Sequence, residues 1–483
     1  MWTEDDLVTL DALTLSRSIH RREVSCVEVM RACLARIAHY NREYNAIIAL
    51  QPENELLAQA ADADAELDRG QSRGWLHGIP QAVKDLSEVR GLPFTQGSPL
   101  FRDRVSTTDS PAIARIRDAG ALFIGKTNTP EFGLGSQTFN PVHGATRNAY
   151  DPARTAGGSS GGAAVALALR MLAVADGSDF AGSLRNPAAF NNVFGFRPTI
   201  GRVVDEVTEV FHLRMGVSGP MARTVPDLAA LLATMAGPDP RSPYAIHEDP
   251  RRFLEPLERD LTGMRVGWLG DFNGHLAMEA GVLNLCEQAT HVFTELGASV
   301  EPVMPRFDME SLFRHWMTLR HWQIGGSLLP AWNDPAMRAQ LKPEAAWEVE
   351  QGLKVSAFDV TAAAAVRSAW YRETERLFAR YDYLLLPAAQ VFPFDVQQRW
   401  PERIGARVMD TYHRWMEVVI PVTMAAGPAL CVPAGFNDAG LPMGLQVWGR
   451  WGDDFGVLQV GRAYERATNW VGRRLPPGLD ADR

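Results

Sequence analysis

The sequence predicts a mixed α/β fold, with a central β-sheet covered by helices on both faces. Three observations carry that expectation. Between about residues 76 and 235, short apolar runs of strand length alternate with helical patterns. Two further apolar runs, Tyr383–Pro387 and Ala429–Pro433, return late in the chain. Glycine and proline punctuate the boundaries between these segments, as expected where strands and helices alternate around a sheet.

Taken in order, residues 1–70 read as an N-terminal helical segment packed on the core. Leu10, Leu13, Leu15 and Ile19, then Val24, Val27, Val29 and Met30, then Leu34, Ile37 and Ala38 recur at helical spacing. Ala58 to Leu67 reads as a solvated helix, broken by Gly70 and Gly74. Residues 71–483 form the main domain. Pro111–Ala119 reads as a helix that Gly120 ends, with a strand at Ala121–Gly125 behind it. A helix is expected over Gly161–Leu169, a buried strand over Met171–Ala175 and an amphipathic helix over Asp227–Met235. A proline-rich loop follows Pro238, then a strand at Met264–Leu269 and a helix through Ala289 to Leu296. Residues 308–380 form a helical insertion carrying Trp316, Trp322, Trp332, Trp347 and Trp370. Such an aromatic insertion is usually core, and lining an apolar pocket is the alternative. A last helix spans Phe455–Ala467.

Composition narrows the function classes. Forty-eight basic residues against 57 acidic ones give a net charge of −9, which argues against a general nucleic-acid binder. Cys26, Cys33, Cys286 and Cys431 form no CxxC pair and no cluster with histidine, so neither a metal site nor a disulfide framework is expected. The acidic start, Met1-Trp2-Thr3-Glu4-Asp5-Asp6, is unlike a signal peptide, and the longest apolar run, Ala163–Ala175, is interrupted by Arg170 and too short for a bilayer. A cytoplasmic protein without membrane contact is the expectation.

The chemistry lies in Ala156-Gly157-Gly158-Ser159-Ser160-Gly161-Gly162 and Asp179-Phe180-Ala181-Gly182-Ser183-Leu184-Arg185. A serine hydroxyl is a weak nucleophile and needs a base beside it. Histidine is the usual base, but His77 and His143, nearest the glycine-rich regions, read as polar residues of the fold. A phosphate loop is excluded because Gly161-Gly162-Ala163 lacks its lysine. Lys84, at the end of the apolar run Ile79–Leu86, is either a surface charge at a strand end or a desolvated base, because burial disfavours the ammonium.

Four stretches match a known family. They are Gly78-Ile79-Pro80-x-x-Val83-Lys84-Asp85; Gly125-Lys126-Thr127-Asn128-Thr129-Pro130-Glu131-Phe132; the Gly157–Gly162 loop; and Asp179-x-x-Gly182-Ser183-x-Arg185-x-Pro187. With Gly195–Thr199, Gly219–Thr224 and the 24-residue interval from Ser159 to Ser183, the chain resembles the amidase signature family of serine hydrolases over roughly residues 25–470. That resemblance implies the amidase-signature fold and a Ser-cisSer-Lys triad that cleaves amide bonds. It makes Lys84 the neutral base, Ser159 the relay on a cis peptide after Gly158, and Ser183 the nucleophile. Backbone N–H groups of Phe180, Ala181, Gly182 and Ser183 would hold the oxyanion, Gly133 would lie near the substrate, and Ser160, Asp179 and Arg185 would support the site. No cofactor and no metal are implied. A small amide is the implied partner, and a homodimer is an analogy from relatives.

Two departures from the family pattern stand out. Phe180-Ala181 replaces a usual x-Gly, so the oxyanion stretch should survive while Phe180 narrows the pocket. Thr423-Met424-Ala425-Ala426-Gly427-Pro428-Ala429 stands where many members have Asn-Leu-x-Gly-x-Pro-Ala, which weakens a glutamine-specific reading. A free-standing amidase for a small, apolar or aryl amide leads. The alternatives are a glutamine-hydrolysing component of a tRNA-dependent amidotransferase and a catalytically silent binding protein.

Overall fold

The computed structural model describes residues 2–205, 209–212 and 215–480. Strands β1 (Ile47–Ile48), β2 (Pro80–Lys84) and β3 (Leu122–Thr127) form a small sheet in the order β1-β3-β2, with β2 parallel and β1 antiparallel to β3. Ile47 and Ile48 are thus a short strand inside the stretch read as helical, held by Asn41, whose Oδ1 accepts from the Ile47 N–H at 2.8 Å. A hairpin, β4 (Phe139–Asn140) and β5 (Gly144–Ala145), follows.

The large sheet draws on β6 (Val174–Asp179), β7 (Phe194–Arg197), β8 (Val217–Ala222), β9 (Arg265–Trp268), β10 (Ser299–Pro302) and β11 (Tyr383–Pro387). After a second short hairpin, β12 (Arg403–Ile404) and β13 (Arg407–Val408), β14 (Ala429–Phe436) and β15 (Pro442–Gly449) complete it. Its order is β10-β9-β11-β15-β14-β7-β8-β6. The β10–β9–β11 end is parallel and every other pairing is antiparallel, so the sheet is mixed, as expected.

Successive strand residues face opposite layers. Leu430 of β14 meets Gly461 in the helix Asp454–Thr468, while Cys431 shares its face with Ala189 of the helix Arg185–Phe190. The strand expected over Met171–Ala175 begins only at Val174, because Arg170 takes φ 59 and turns the chain after the helix Gly161–Ala168. In the 308–380 insertion, helices Met309–Asn333, Pro343–Gly352 and Ala357–Phe378 pack together. Trp316 and Trp370 are fully buried there, and the Trp370 Nε1–H donates to the Pro421 carbonyl at 2.8 Å. No described helix is long and apolar enough to cross a membrane.

Candidate active site

The site forms where the two sheets meet. The Lys84 N–H, at the end of β2, donates to the Asp176 carboxylate of β6 at 3.2–3.3 Å, tying the small sheet to the large one. Lys84 itself is 1% exposed. Its Nζ reaches Ser159 Oγ and Ser160 Oγ at 2.8 Å each, Ser178 Oγ at 3.0 Å and the Ser178 carbonyl at 3.3 Å. Burial pulls its pKa down from 10.5 to about 7, outweighing the nearby Asp176 and Asp179. Of the two readings of Lys84, the surface charge is excluded. Burial also pushes the Asp176 carboxyl up to about 6.

Ser159 follows a cis peptide bond from Gly158. Ser160 is the N-cap of the helix Gly161–Ala168, yet its side chain makes no cap hydrogen bond, because its hydroxyl lies between Lys84 Nζ and the Ser178 carbonyl. A serine that would ordinarily satisfy a helix N–H is committed to the lysine. The helix also enters tightly: a Cβ on Gly162 would lie 2.4 Å from the Asn128 backbone N and 2.6 Å from the Ala46 carbonyl.

Asp179 shapes the second serine's turn. Its carboxylate accepts from the Gly182 N–H at 2.9 Å and the Leu184 N–H at 3.1 Å, turning the chain at the end of β6. Arg185 Nε and Nη2 donate to the same carboxylate at 3.0 and 2.9 Å, and Arg197 Nη1 at 3.1 Å. Burial alone would raise this carboxyl, but Arg185 and Arg197 hold it well below the usual range. Gly182 has φ +84, and a Cβ there would meet the Val419 side chain at 2.8 Å, so glycine is required. Ala181 is not among the positive-φ residues and tolerates its methyl. Removing the charge in Asp179→Asn, with both arginines still buried, is expected to cost about 3–5 kcal/mol and lower activity as the turn loosens. Chemical unfolding and turnover check this; wild-type stability would remove Asp179 as the organiser of the turn.

Ser183 is 7% exposed and lines a cavity of about 310 Å³ together with Ser159, Ser178, Phe180 and Gly133. Among the described residues, no hydrogen bond joins the Ser183 and Ser159 hydroxyls, and both open on this cavity. The N–H groups of Phe180, Ala181 and Ser183 have no partner among the described residues, whereas that of Gly182 is taken by Asp179. Leu86, Phe132, Leu134, Ile200, Val203, Val204 and Val217 give the cavity an apolar part, and Asp205, Glu209 and His212 a polar one.

A family model described as Amidase matches residues 28–458. The chain belongs to the amidase signature family. It is 32% identical to an acylamidase of Rhodococcus erythropolis over 482 residues, covering 99% of both chains. It is 35% identical to a glutamyl-tRNA(Gln) amidotransferase chain of Thermus thermophilus over 486 residues, covering 95% of this chain and 98% of the relative. In structure it is similar to a bacterial aryl acylamidase of the amidase signature enzymes, with a TM-score of 0.89 at 26% identity, covering 96% of this chain and 99% of that one.

Of the two readings of the insertion's tryptophans in this amidase-family enzyme, core packing is observed and pocket lining is not. No tryptophan of the insertion lines the cavity among the described residues; instead Arg320, Gln323, Ile324 and Ser327 do, one face of the helix Met309–Asn333. Phe180 lines the cavity as expected, with its ring 5.1 Å from the Arg320 guanidinium carbon. Sequence reading also missed Ser178, Asp176 and Arg197 as parts of the site. The polar i, i+3, i+7 stripe of Arg320, Gln323 and Ser327 was the available signal for the insertion's contribution. A candidate ligand set for a metal, His275, Glu310 and Glu417, is occupied by its own ion pairs: Arg414 lies 2.9 Å from Glu310 and 3.2 Å from Glu417.

Proposed function

We propose that this enzyme hydrolyses the C–N bond of a small, apolar or aryl amide through an acyl-enzyme on Ser183. The observation that carries the reading is a buried lysine with a depressed pKa, 2.8 Å from Ser159, beneath a partly apolar cavity that Ser183 shares. Neutral Lys84 takes the Ser159 proton as Ser159 takes that of Ser183, whose Oγ attacks the amide carbon. The unpartnered N–H groups of Phe180, Ala181 and Ser183 are placed to receive the oxyanion; such donors are each worth about 2.7–4 kcal/mol in comparable hydrolases. The relay run in reverse protonates the leaving nitrogen, the amine departs, and water then cleaves the ester by the same route. The product is a carboxylic acid and the enzyme is regenerated.

Similarity to an acylamidase and to an aryl acylamidase supports the substrate class. The amidotransferase relatives favour a second reading, glutamine hydrolysis within a complex. A panel of acyl anilides, aliphatic amides and glutamine separates the two. Faster release of aniline than of ammonia from glutamine is expected. Glutamine as the best substrate, dependent on a partner chain, would overturn the first reading. Failure of a fluorophosphonate probe to label the protein would favour a silent binding protein.

A further inference from the structure

Arg320 carries a buried network from the helical insertion to the cavity. It is 3% exposed. Its Nε donates to Glu348 Oε1 at 2.7 Å and its Nη2 to the Tyr412 hydroxyl at 3.2 Å, while Tyr412 donates to Glu348 Oε1 at 2.5 Å. Nε and Nη2 share one edge of the guanidinium fork, so Glu348 and Tyr412 fill that edge. Nη1 has no partner among the described residues, and Arg320 lines the cavity.

Glu348 is also held by His321 Nδ1 at 2.6 Å and His413 Nε2 at 3.0 Å. Burial would raise its carboxyl, but Arg320 and the histidines keep it well below the usual range, so its negative charge offsets the guanidinium. Burial lowers His413 to about 3, leaving it neutral. Asp205 and Glu209 line the same cavity. The arginine therefore offers a fixed N–H donor in surroundings that do not favour an anion.

We infer that Arg320 is a specificity-determining residue, its free Nη1 edge donating to a neutral acceptor oxygen, such as a ketone or second amide carbonyl, on the substrate away from the scissile bond. This rests on the amide-hydrolysis reading above. The test compares acetanilide with its meta-acetyl, para-acetyl and para-carboxylate derivatives in the wild type and in Arg320→Lys, which keeps a cation beside Glu348. Taking the variant-to-wild-type ratio for each substrate cancels the substituent's effect on the leaving aniline. For an acetyl derivative kcat/KM should fall about 10-fold or more in the variant, mainly through KM, and that for acetanilide about 3-fold or less. Tyr412→Phe, which frees Nη2 while leaving the ion pair, should reduce the same discrimination if Arg320→Lys does not fold. Phe180→Leu, which removes the ring but not the donor, should retain it. Equal losses on all substrates, no loss on any, or a wild-type preference for the carboxylate would overturn the inference. A wild type that cleaves none of them defeats the amide-hydrolysis reading instead.

Discussion

Ser183→Ala is expected to lower kcat by roughly 10⁴- to 10⁶-fold, the range seen when a serine nucleophile is removed from a working triad. The protein should fold as before. Ser183 Oγ has no hydrogen-bond partner among the described residues, so its loss leaves no buried group unsatisfied. The turn that presents it is held by Asp179, Arg185 and Arg197, none of which uses that hydroxyl. Turnover of the best amide, thermal unfolding and fluorophosphonate labelling should therefore diverge: activity and labelling lost, melting temperature kept. Undiminished turnover would move the nucleophile to another cavity serine, Ser159 or Ser178.

Why much of this site is legible in the sequence, and part of it not, follows from the distances along the chain over which each feature is encoded. Tyr383–Pro387 reads with its observed bounds because five apolar residues in a row are buried on both faces. Strands β8 and β15 escape the residue pattern. Gly219 and Pro220 interrupt one, and Gly444 and Gln446 the other. The second interruption has a cause: Gln446 is buried because its Oε1 accepts from Arg185 Nη1 at 2.6 Å. In the glycine loop, Gly162 answers to packing against the Asn128 and Ala46 backbones and not to a ligand.

The 423–429 departure also has a structural meaning that local sequence does not carry. The Thr423 hydroxyl accepts from Arg185 Nη2 at 3.1 Å, and Ala426 adopts φ 63, the left-handed region that glycine occupies more readily. Arg320 is hidden for a different reason. Its partners, Glu348 and Tyr412, lie 28 and 92 residues away, so no local pattern reveals that one edge of the guanidinium is filled and the other open.

Lys84→Met is expected to cut kcat/KM by about 10²- to 10⁴-fold, the usual contribution of a positioned base, and to change two pH dependences. In the wild type, kcat/KM should rise tenfold per pH unit below about 7 and level off above it, since only the neutral amine accepts the Ser159 proton. The variant should lose that inflection. Stability gives a second readout that does not depend on chemistry. Below pH 7 the lysine is protonated both folded and unfolded, so the full cost of burying its charge is present. Between about 7 and 10.5 the unfolded chain binds the proton that the folded one has released, and folding gains with rising pH. Relative to Lys84→Met, the wild type should thus gain up to about 1.4 kcal/mol per pH unit across that window. Above 10.5 both states are neutral and the gain stops. Denaturant unfolding of the pair at pH 7, 8.5 and 10 measures this. A pH-independent difference would mean that Lys84 is not desolvated. An intact pH–rate inflection in the variant would mean that some other group takes the proton from Ser159.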